Sequence, residues 1–428
     1  MKRRIDLVRP PLLMLLCCLA TGAFALDSTQ ERITRAVDER QSEALELLAE
    51  TVNIQSATEN HAGVRRVGEI YAREFAAIGF ETSWVELPAE VGRAGHFVAV
   101  HRGDRGRRLL LIGHLDTVLQ GERFRREGNY AFGTGSSDMK GGNLVILEAL
   151  RALHAAGELE GRQVTVVFTG DEEDPGTPVE LSRQVLLAAG EQSDVALGFE
   201  GGSPGLAVIG RRGIGSWRLQ VTGRQAHSSG IFGEAQGYGA IFEAARILDR
   251  FREELPEPYL TFNPSVILGG TTVSYDDSSK GGSALGKTNV IPREVQVTGD
   301  LRFLSSEQFE AACQRMSGIV AGNLPGTTAS ISFIKEYPAM APTDANRAVL
   351  ALLDAVSRDL GAGPVRAQDP AERGAGDISF VCADSRLACL DGLGAMGGND
   401  HAPGEYVEID TLLLQTRRAA LLLYRLTR

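Results

Sequence analysis

The feature that most constrains this chain is an alternation of apolar runs and amphipathic stretches between residues 81 and 199. Runs at 81–87, 96–101, 109–112, 163–169 and 194–199 read as strands. Helical patterns at 140–156 and 178–189 separate the later ones. Ahead of them, 27–52 carries Ile33, Val37, Leu45, Leu47 and Leu48 on one broad stripe, and a second helical pattern over 63–78 ends at Gly79. Such alternation predicts an α/β fold, a doubly wound, mostly parallel sheet with helices on both faces. Sheets of that kind bind ligands at the carboxyl ends of their strands.

The series is interrupted from about Arg212. Strand patterns at 216–222, 265–269, 295–303 and 328–334 surround helical patterns at 234–254 and 306–323, a split β-α-β-β-α-β order. After Pro338 the first pattern resumes, with helices at 345–360 and 377–383, a strand at 387–391 and a terminal helix from Asp410. The expected division is a first unit over 26–211, an inserted α+β unit over 212–337, and the rest of the first unit over 338–428. A length of 428 residues suits two domains. Residues 271–289 read as a mobile loop.

The first 25 residues stand apart. Lys2, Arg3, Arg4 and Arg9 precede an uncharged run that ends in Ala23-Phe24-Ala25. A basic start, a short apolar run and a small-x-small end read as a signal peptide cut after Ala25, which predicts an exported protein, periplasmic or secreted. The apolar run is shorter than the ~20 residues a spanning helix needs; an uncleaved anchor is the alternative. Cleavage removes four basic residues and one acid, so a net charge of −11 becomes −14. No basic patch stands out, which argues against nucleic acid or an anionic membrane as partner. The three cysteines beyond the leader, Cys313, Cys382 and Cys389, are odd in number and contain no Cys-x-x-Cys pair, which argues against a thiolate metal site or a dense disulfide framework. Cys382 and Cys389 fit either a disulfide in an oxidising compartment or buried free thiols.

Candidate chemistry gathers where strands end. The 109–112 run leads into Gly113-His114-Leu115-Asp116, and on an extended segment His114 and Asp116 share a face. Asp138 lies in a glycine-rich turn before a helix, Asp171-Glu172-Glu173 and Glu200 each follow a strand, and Asn399-Asp400-His401 falls in a late loop. In a doubly wound sheet these mouths open toward one crevice. Two histidines with several carboxylates and no cysteine suit Zn²⁺, with Co²⁺ or Mn²⁺ as alternatives. One carboxylate bridging two ions, with a histidine and a further carboxylate on each, uses His114, His401, Asp138, Glu173 and Glu200. Glu172 is left over beside a ligand as a general base.

The segments His114-Leu-Asp116, Ser137-Asp-Met-Lys-Gly-Gly142, Asp171-Glu-Glu173, Glu200 and His401, in that order, resemble the M20 family of two-zinc metallopeptidases. That family includes bacterial glutamate carboxypeptidases, aminoacylases, dipeptidases and succinyl-diaminopimelate desuccinylase. The resemblance spans nearly the whole mature chain and makes the inserted unit a lid and dimerisation domain. It implies one zinc on His114, Asp138 and Glu200 and a second on Asp138, Glu173 and His401. Asp116 would orient His114, and Glu172 would move the proton. His227, in Gly223-Arg-Gln-Ala-His-Ser-Ser229, would reach the oxyanion across a homodimer. Asn289 and Arg302 match lid positions that hold a substrate carboxylate, and Asp377 is expected either at the substrate or as a helix cap. The implied reaction is release of a C-terminal amino acid from a short peptide or N-acyl amino acid. A dipeptidase or N-deacylase is the runner-up within the family, and a catalytically inactive ligand-binding relative the rival outside it. The segment Arg373-Gly-Ala-Gly-Asp377 departs from the Gly-Thr-Asp or Gly-Ser-Asp form of relatives and bears on specificity. No His-Glu-x-x-His occurs, which excludes a single-zinc helix protease. His61, His96, His101 and His154 read as surface or structural, and Lys140 as a solvated residue at a helix start.

Overall fold

The computed structural model describes residues 26–383 and 386–428, so the leader pattern lies outside the described residues. The chain runs through α1 (Ser28–Glu39), α2 (Gln41–Val52), α3 (His61–Ala76), β1 (Glu81–Val85), β2 (His96–His101) and β3 (Arg105–His114). Short β4 (Arg125–Glu127) and β5 (Tyr130–Phe132) precede α4 (Gly142–Ala155) and β6 (Arg162–Thr169). Then come α5 (Val179–Ser182), α6 (Gln184–Glu191), β7 (Val195–Gly198) and β8 (Leu206–Ala207). The central sheet has the order β1-β2-β6-β3-β7, completed by β16 (Ala388–Leu390) from the far end of the chain. β6, β3, β7 and β16 are parallel, and β1 and β2 form the antiparallel margin.

β3 shows why the sheet is two-faced. Leu109 and Leu111 join the core under α1, α3, α4 and the terminal helix, whereas Leu110 and Ile112 join a second core with Leu186 of α6 and Ile378 and Val381. A strand buried on both sides cannot alternate polar with apolar residues, and this one reads as continuous leucine and isoleucine.

The segment 213–337 forms a separate sheet with its own helices. Its elements are β9 (Gly213–Gly223), α7 (Gly239–Glu254), β10 (Thr261–Gly270), β11 (Thr272–Asp276), β12 (Gly281–Leu285), β13 (Glu294–Phe303), α8 (Ser306–Ala321) and β14 (Thr327–Tyr337). The antiparallel order is β10-β13-β9-β14, and the buried face of β9 and β13 packs on α7 and α8 through Trp217, Leu219, Val297, Ile247 and Met316. Residues 271–289 are not simply a loop: β11 and β12 pair as a hairpin, and Tyr275 packs beneath the Arg218 guanidinium.

The last stretch holds α9 (Asp344–Asp359), β15 (Arg366–Ala367), α10 (Ile378–Cys382), β16, β17 (Gly397–Gly398), β18 (Tyr406–Glu408) and α11 (Ile409–Leu426). α11 packs on α1, α4 and α9. Cys382 and Cys389 form a disulfide that ties α10 to β16, and Cys313 is free. Among the described residues no helix is long and apolar enough to cross a membrane.

Two expected helices are broken by arginines. The 27–52 stretch turns at Arg40, whose guanidinium reaches Glu43 and Glu148 at 2.6 and 2.9 Å. The 178–189 stretch turns at Arg183, which is fully buried. Arg183 holds Asp171 Oδ1 at 2.6 Å and Asp377 Oδ1 at 2.8 Å, while Thr169 and Ser182 donate to the remaining oxygens of Asp377 and Asp171. Burial alone would raise the Asp171 carboxyl, but Arg183 holds it below the ordinary range. Replacing Arg183 with methionine leaves two buried carboxylates without a counter-charge, and urea unfolding should show a loss of about 3–5 kcal/mol. A loss within ~0.5 kcal/mol, the range of an ordinary surface substitution, would show that the cluster does not hold the fold.

Candidate metal centre

The centre begins at the end of β3. Gly113 leaves no room for a side chain, since a Cβ there would stand 2.0 Å from Asn143 Oδ1. Asn143 uses that closeness to donate to the His114 carbonyl at 2.6 Å. His114 is buried, and its Nδ1 donates to the Asp116 carbonyl at 3.0 Å, with Asp116 Oδ1 at 3.4 Å. That contact places the proton on Nδ1 and leaves Nε2 free to act as a ligand.

Asp116 does more than face the imidazole. Its carboxylate accepts from the Glu172 and Glu173 main-chain N–H groups, both at 3.1 Å, and from Thr58 Oγ1 at 2.7 Å. The end of β3 and the turn after β6 are thereby fixed to one another.

Asp138 stands at the middle. One oxygen lies 3.1 Å from His114 Nε2, and the other 3.0 Å from His401 Nε2. His114, Asp138 and Glu200 offer ligand atoms within 4.8 Å of one another, and so do Asp138, Glu173 and His401. Asp138 belongs to both groups, which is the arrangement a bridging carboxylate requires. His114, Glu172 and Glu173 form a third such group, so Glu172 lies beside the ligands. Glu173 Oε1 is buried with no hydrogen-bond partner, as a ligand oxygen would be in the absence of its ion.

The electrostatics point the same way. Burial, and then Glu200, push the Glu172 carboxyl well above its ordinary range. Burial raises Glu173 to about 8 and Glu200 to about 7. Hydrogen bonding to Asp138 raises His401 to about 9. Burial would lower His114, but Asp116 and Asp138 raise it well above normal. Burial would raise Asp138, and the two imidazoles hold it below the ordinary range instead. So many carboxylates gathered around two imidazoles favour protons or a divalent cation, and an all-nitrogen-and-oxygen donor set suits a borderline ion.

The remaining expected residues fall elsewhere. His227 and Asn289 sit side by side on the inserted unit: Ser228 N donates to the Asn289 carbonyl at 2.9 Å, and His227 bridges to Val290. Both are exposed. Arg302 on β13 donates to Asp300 at 3.2 Å and is partly exposed. None of the three is among the residues lining the two clefts beside Asp138. Asp377, weighed between substrate contact and helix cap, has both oxygens taken by Arg183 and Thr169 and makes no side-chain cap on α10. His96 and His101 bond to main-chain carbonyls at 2.7 Å, as structural histidines do.

Several buried charges were invisible in the sequence. Lys140 is 1% exposed, not solvated; its Nζ donates to Ile54 O at 2.9 Å, and burial pushes it down to about 7. Arg211 pairs with Asp391 at 2.6 Å and holds the Gly374 carbonyl at 2.9 Å, on the wall of a cleft of ≈ 250 Å³ that also exposes Glu172 and Glu200. Glu405 is buried behind Asp138. Gly201-Gly202-Ser203-Pro204-Gly205 has the spacing of a nucleophile elbow, but it leads into β8 where an elbow needs a helix.

Cation binding has to displace the protons held by Glu200, Glu173 and His401. All three have folded-state values above their ordinary ones, so their stabilising contribution in the metal-free protein is present at low pH. It is lost as pH rises from those ordinary values through about 7, 8 and 9 respectively. Affinity for a divalent cation, and the rise in melting temperature that the cation gives, should both grow between about pH 6 and about pH 9. Titration calorimetry and thermal melts check this, and a flat profile would remove these residues from the ligand set.

A model of peptidase family M20/M25/M40 matches residues 110–425. Carboxypeptidase G2 of Pseudomonas sp. (strain RS-16) is 25% identical over 420 residues, covering 96% of this chain and 95% of its own. Succinyl-diaminopimelate desuccinylase of Gluconacetobacter diazotrophicus is 25% identical over 408 residues, covering 92% and 100%. Among solved structures, aminopeptidase PepT from Bacillus cereus matches with a TM-score of 0.68 at 17% identity, covering 91% of this chain and 99% of that one. The YXEP protein of Bacillus subtilis, a dinuclear metal-binding peptidase of the M20 family, matches with a TM-score of 0.62 at 15% identity, covering 91% and 99%. The motif order, the two-layered sheet with its inserted unit and the ligand groups sharing Asp138 thus meet in one family, and this chain is a hydrolase of peptidase family M20/M25/M40.

Proposed function

We propose that this protein is an exported two-zinc carboxypeptidase, releasing a C-terminal amino acid from short peptides or N-acyl amino acids. The observation that carries the reading is Asp138, shared by two ligand groups with Glu172 beside them at the cleft wall. Two zinc ions held there would polarise the scissile carbonyl and a water between them.

The chain's own groups do the rest. Glu172 takes a proton from the attacking water and delivers it to the leaving nitrogen. Its raised affinity for a proton, caused by burial and by Glu200, suits a group that must hold that proton between the two steps. Asp116 keeps the Glu172–Glu173 turn in register with His114. His227, exposed on the inserted unit, is the donor for the oxyanion, and Arg302 and Asn289 receive the substrate's free carboxylate. His227 does not border the clefts beside Asp138 in one chain, which supports a homodimer in which a partner supplies it. β10 is an edge strand, and Ile267 on it and Ile241 and Phe242 on α7 are exposed, a surface suited to self-pairing. Export is supported by the leader pattern and by the Cys382–Cys389 disulfide.

The test is amide hydrolysis by zinc-loaded wild type and Glu172→Ala on free dipeptides, N-acyl amino acids and the same compounds amidated at the C-terminus. Free-carboxylate substrates should be cleaved and amidated ones spared, and the variant should be slower by roughly 10²–10⁴-fold. Two bound metals without cleavage of any compound would favour a binding protein instead. Sedimentation should give a dimer; an active monomer would remove His227 from the mechanism.

A further inference from the structure

Asp138 is carried by a buried irregular turn whose main chain cannot satisfy itself. Asp138 and Met139 have non-helical backbone angles, and Gly135 sits at φ 80°, where a Cβ would stand 2.6 Å from Thr117 Cγ2. The N–H groups of Gly135, Ser137 and Asp138 converge on one point, and buried main-chain donors need acceptors. Glu405 occupies that point. Its Oε2 accepts from Gly135 N at 2.7 Å, and its Oε1 accepts from Ser137 N and Asp138 N, both at 2.9 Å. The side chain is buried, and the Glu405 carbonyl accepts from Gly133 N at 2.9 Å.

Glu405 arrives on the turn between β17 and β18, the same turn that carries His401. One carboxylate therefore joins the segment that bears His401 to the main chain of Asp138. Those two residues are ligands in one group, and nothing else on the 399–405 turn bonds to the 135–138 main chain through a side chain among the hydrogen bonds described. On the far side Lys140 packs its aliphatic stem against Gly135 and bonds to Ile54 O. The turn is held between an acid and a lysine, neither of which belongs to a ligand group.

We infer that Glu405 is a positioning residue for the metal centre, setting the spacing between Asp138 and His401 and hence the affinity for the ion they share. The inference rests on the two-ion reading above. A glutamine in its place presents one oxygen and one N–H₂ group to three N–H donors, so one side of the cradle loses its acceptor and faces another donor. The distortion falls on the bridging residue. His114 and Glu200, which lie on β3 and after β7, are left in place.

The experiment compares wild type, Glu405→Gln and Glu148→Gln. Glu148 is buried on α4, accepts from Arg40 and Arg151, and serves as the control for loss of a buried carboxylate away from the centre. Zn²⁺ retained against chelators of graded strength, the visible absorption of the Co²⁺ forms, and melting temperatures are read for each. Glu405→Gln should bind the second ion roughly 10–100-fold more weakly and shift the Co²⁺ spectrum, with kcat falling more than KM rises. Glu148→Gln should lose stability alone. Wild-type affinity and spectrum in Glu405→Gln, whatever its melting temperature, would overturn the inference and leave the two-ion reading standing. A wild type that holds one ion only would overturn both. Should Glu405→Gln not fold, Glu405→Asp, whose carboxylate is withdrawn by one methylene and cannot span the cradle, is read on the same scale.

Discussion

Everything about this structure answers to one constraint: negative charge concentrated at the carboxyl ends of the parallel strands. Asp138, Glu172, Glu173 and Glu200 lie close together with two imidazoles among them and Arg211 on the cleft wall, and three of the four have raised affinity for a proton. A protein interior tolerates such a cluster only where the charges are paired, protonated or bound to a cation. The fold brings them together because parallel strands release their chain at a common edge, so that β3, β6 and β7 deliver His114, Glu172 with Glu173, and Glu200 to one place.

A second layer of buried charge holds the first in position. Asp116 is tied to the main chain of Glu172 and Glu173, Arg183 spans Asp171 and Asp377, Arg211 pairs with Asp391, and Glu405 fills the cradle behind Asp138. The Asp116 and Glu405 contacts act on backbone, which is how a ligand's direction is set when its own side chain must stay free for the ion. Glycines work to the same end. At Gly113 and Gly135 the space a Cβ would need is already occupied by Asn143 and Thr117, so the turns that carry ligands can pack without a gap.

What the sequence disclosed and what it withheld divide along physical lines. The buried parallel strands were legible because continuous apolar runs of that length have few other uses; His114, Glu173 and Glu200 were legible because they follow such runs, and Asp138 and His401 through the motifs around them. His114, Asp138, Glu173, Glu200 and His401 therefore came into view without coordinates. The hairpin within 271–289 did not, because β12 is rich in glycine and serine and almost wholly exposed, and the alternation in β11 spans only five residues. Buried charges were the other blind spot. Lys140 at a helix start looks solvated until Ile54, far away in sequence, is seen to accept its proton. Asp377 looks available to a substrate until Arg183 is found beside it. A partner that is remote in sequence leaves no local signal.

The position of the inserted unit gives these long-range contacts a common logic. His114, Asp138, Glu172, Glu173 and Glu200 precede it, while His401 and Glu405 follow it, so the centre is divided between two stretches of chain. Besides the packing of α11 on α1 and α4, the contacts that close the division include Arg183 to Asp377, Arg211 to Asp391, Glu405 to the Asp138 turn, and β16 added to β7. Each joins a residue before the insertion to one after it, and each is buried. Charged and backbone hydrogen bonds impose direction as well as proximity, which apolar packing alone does not. The second stretch can therefore dock on the first in one register, and that register places His401 against Asp138. The buried polar contacts that join the two stretches therefore also bring the second ligand group together.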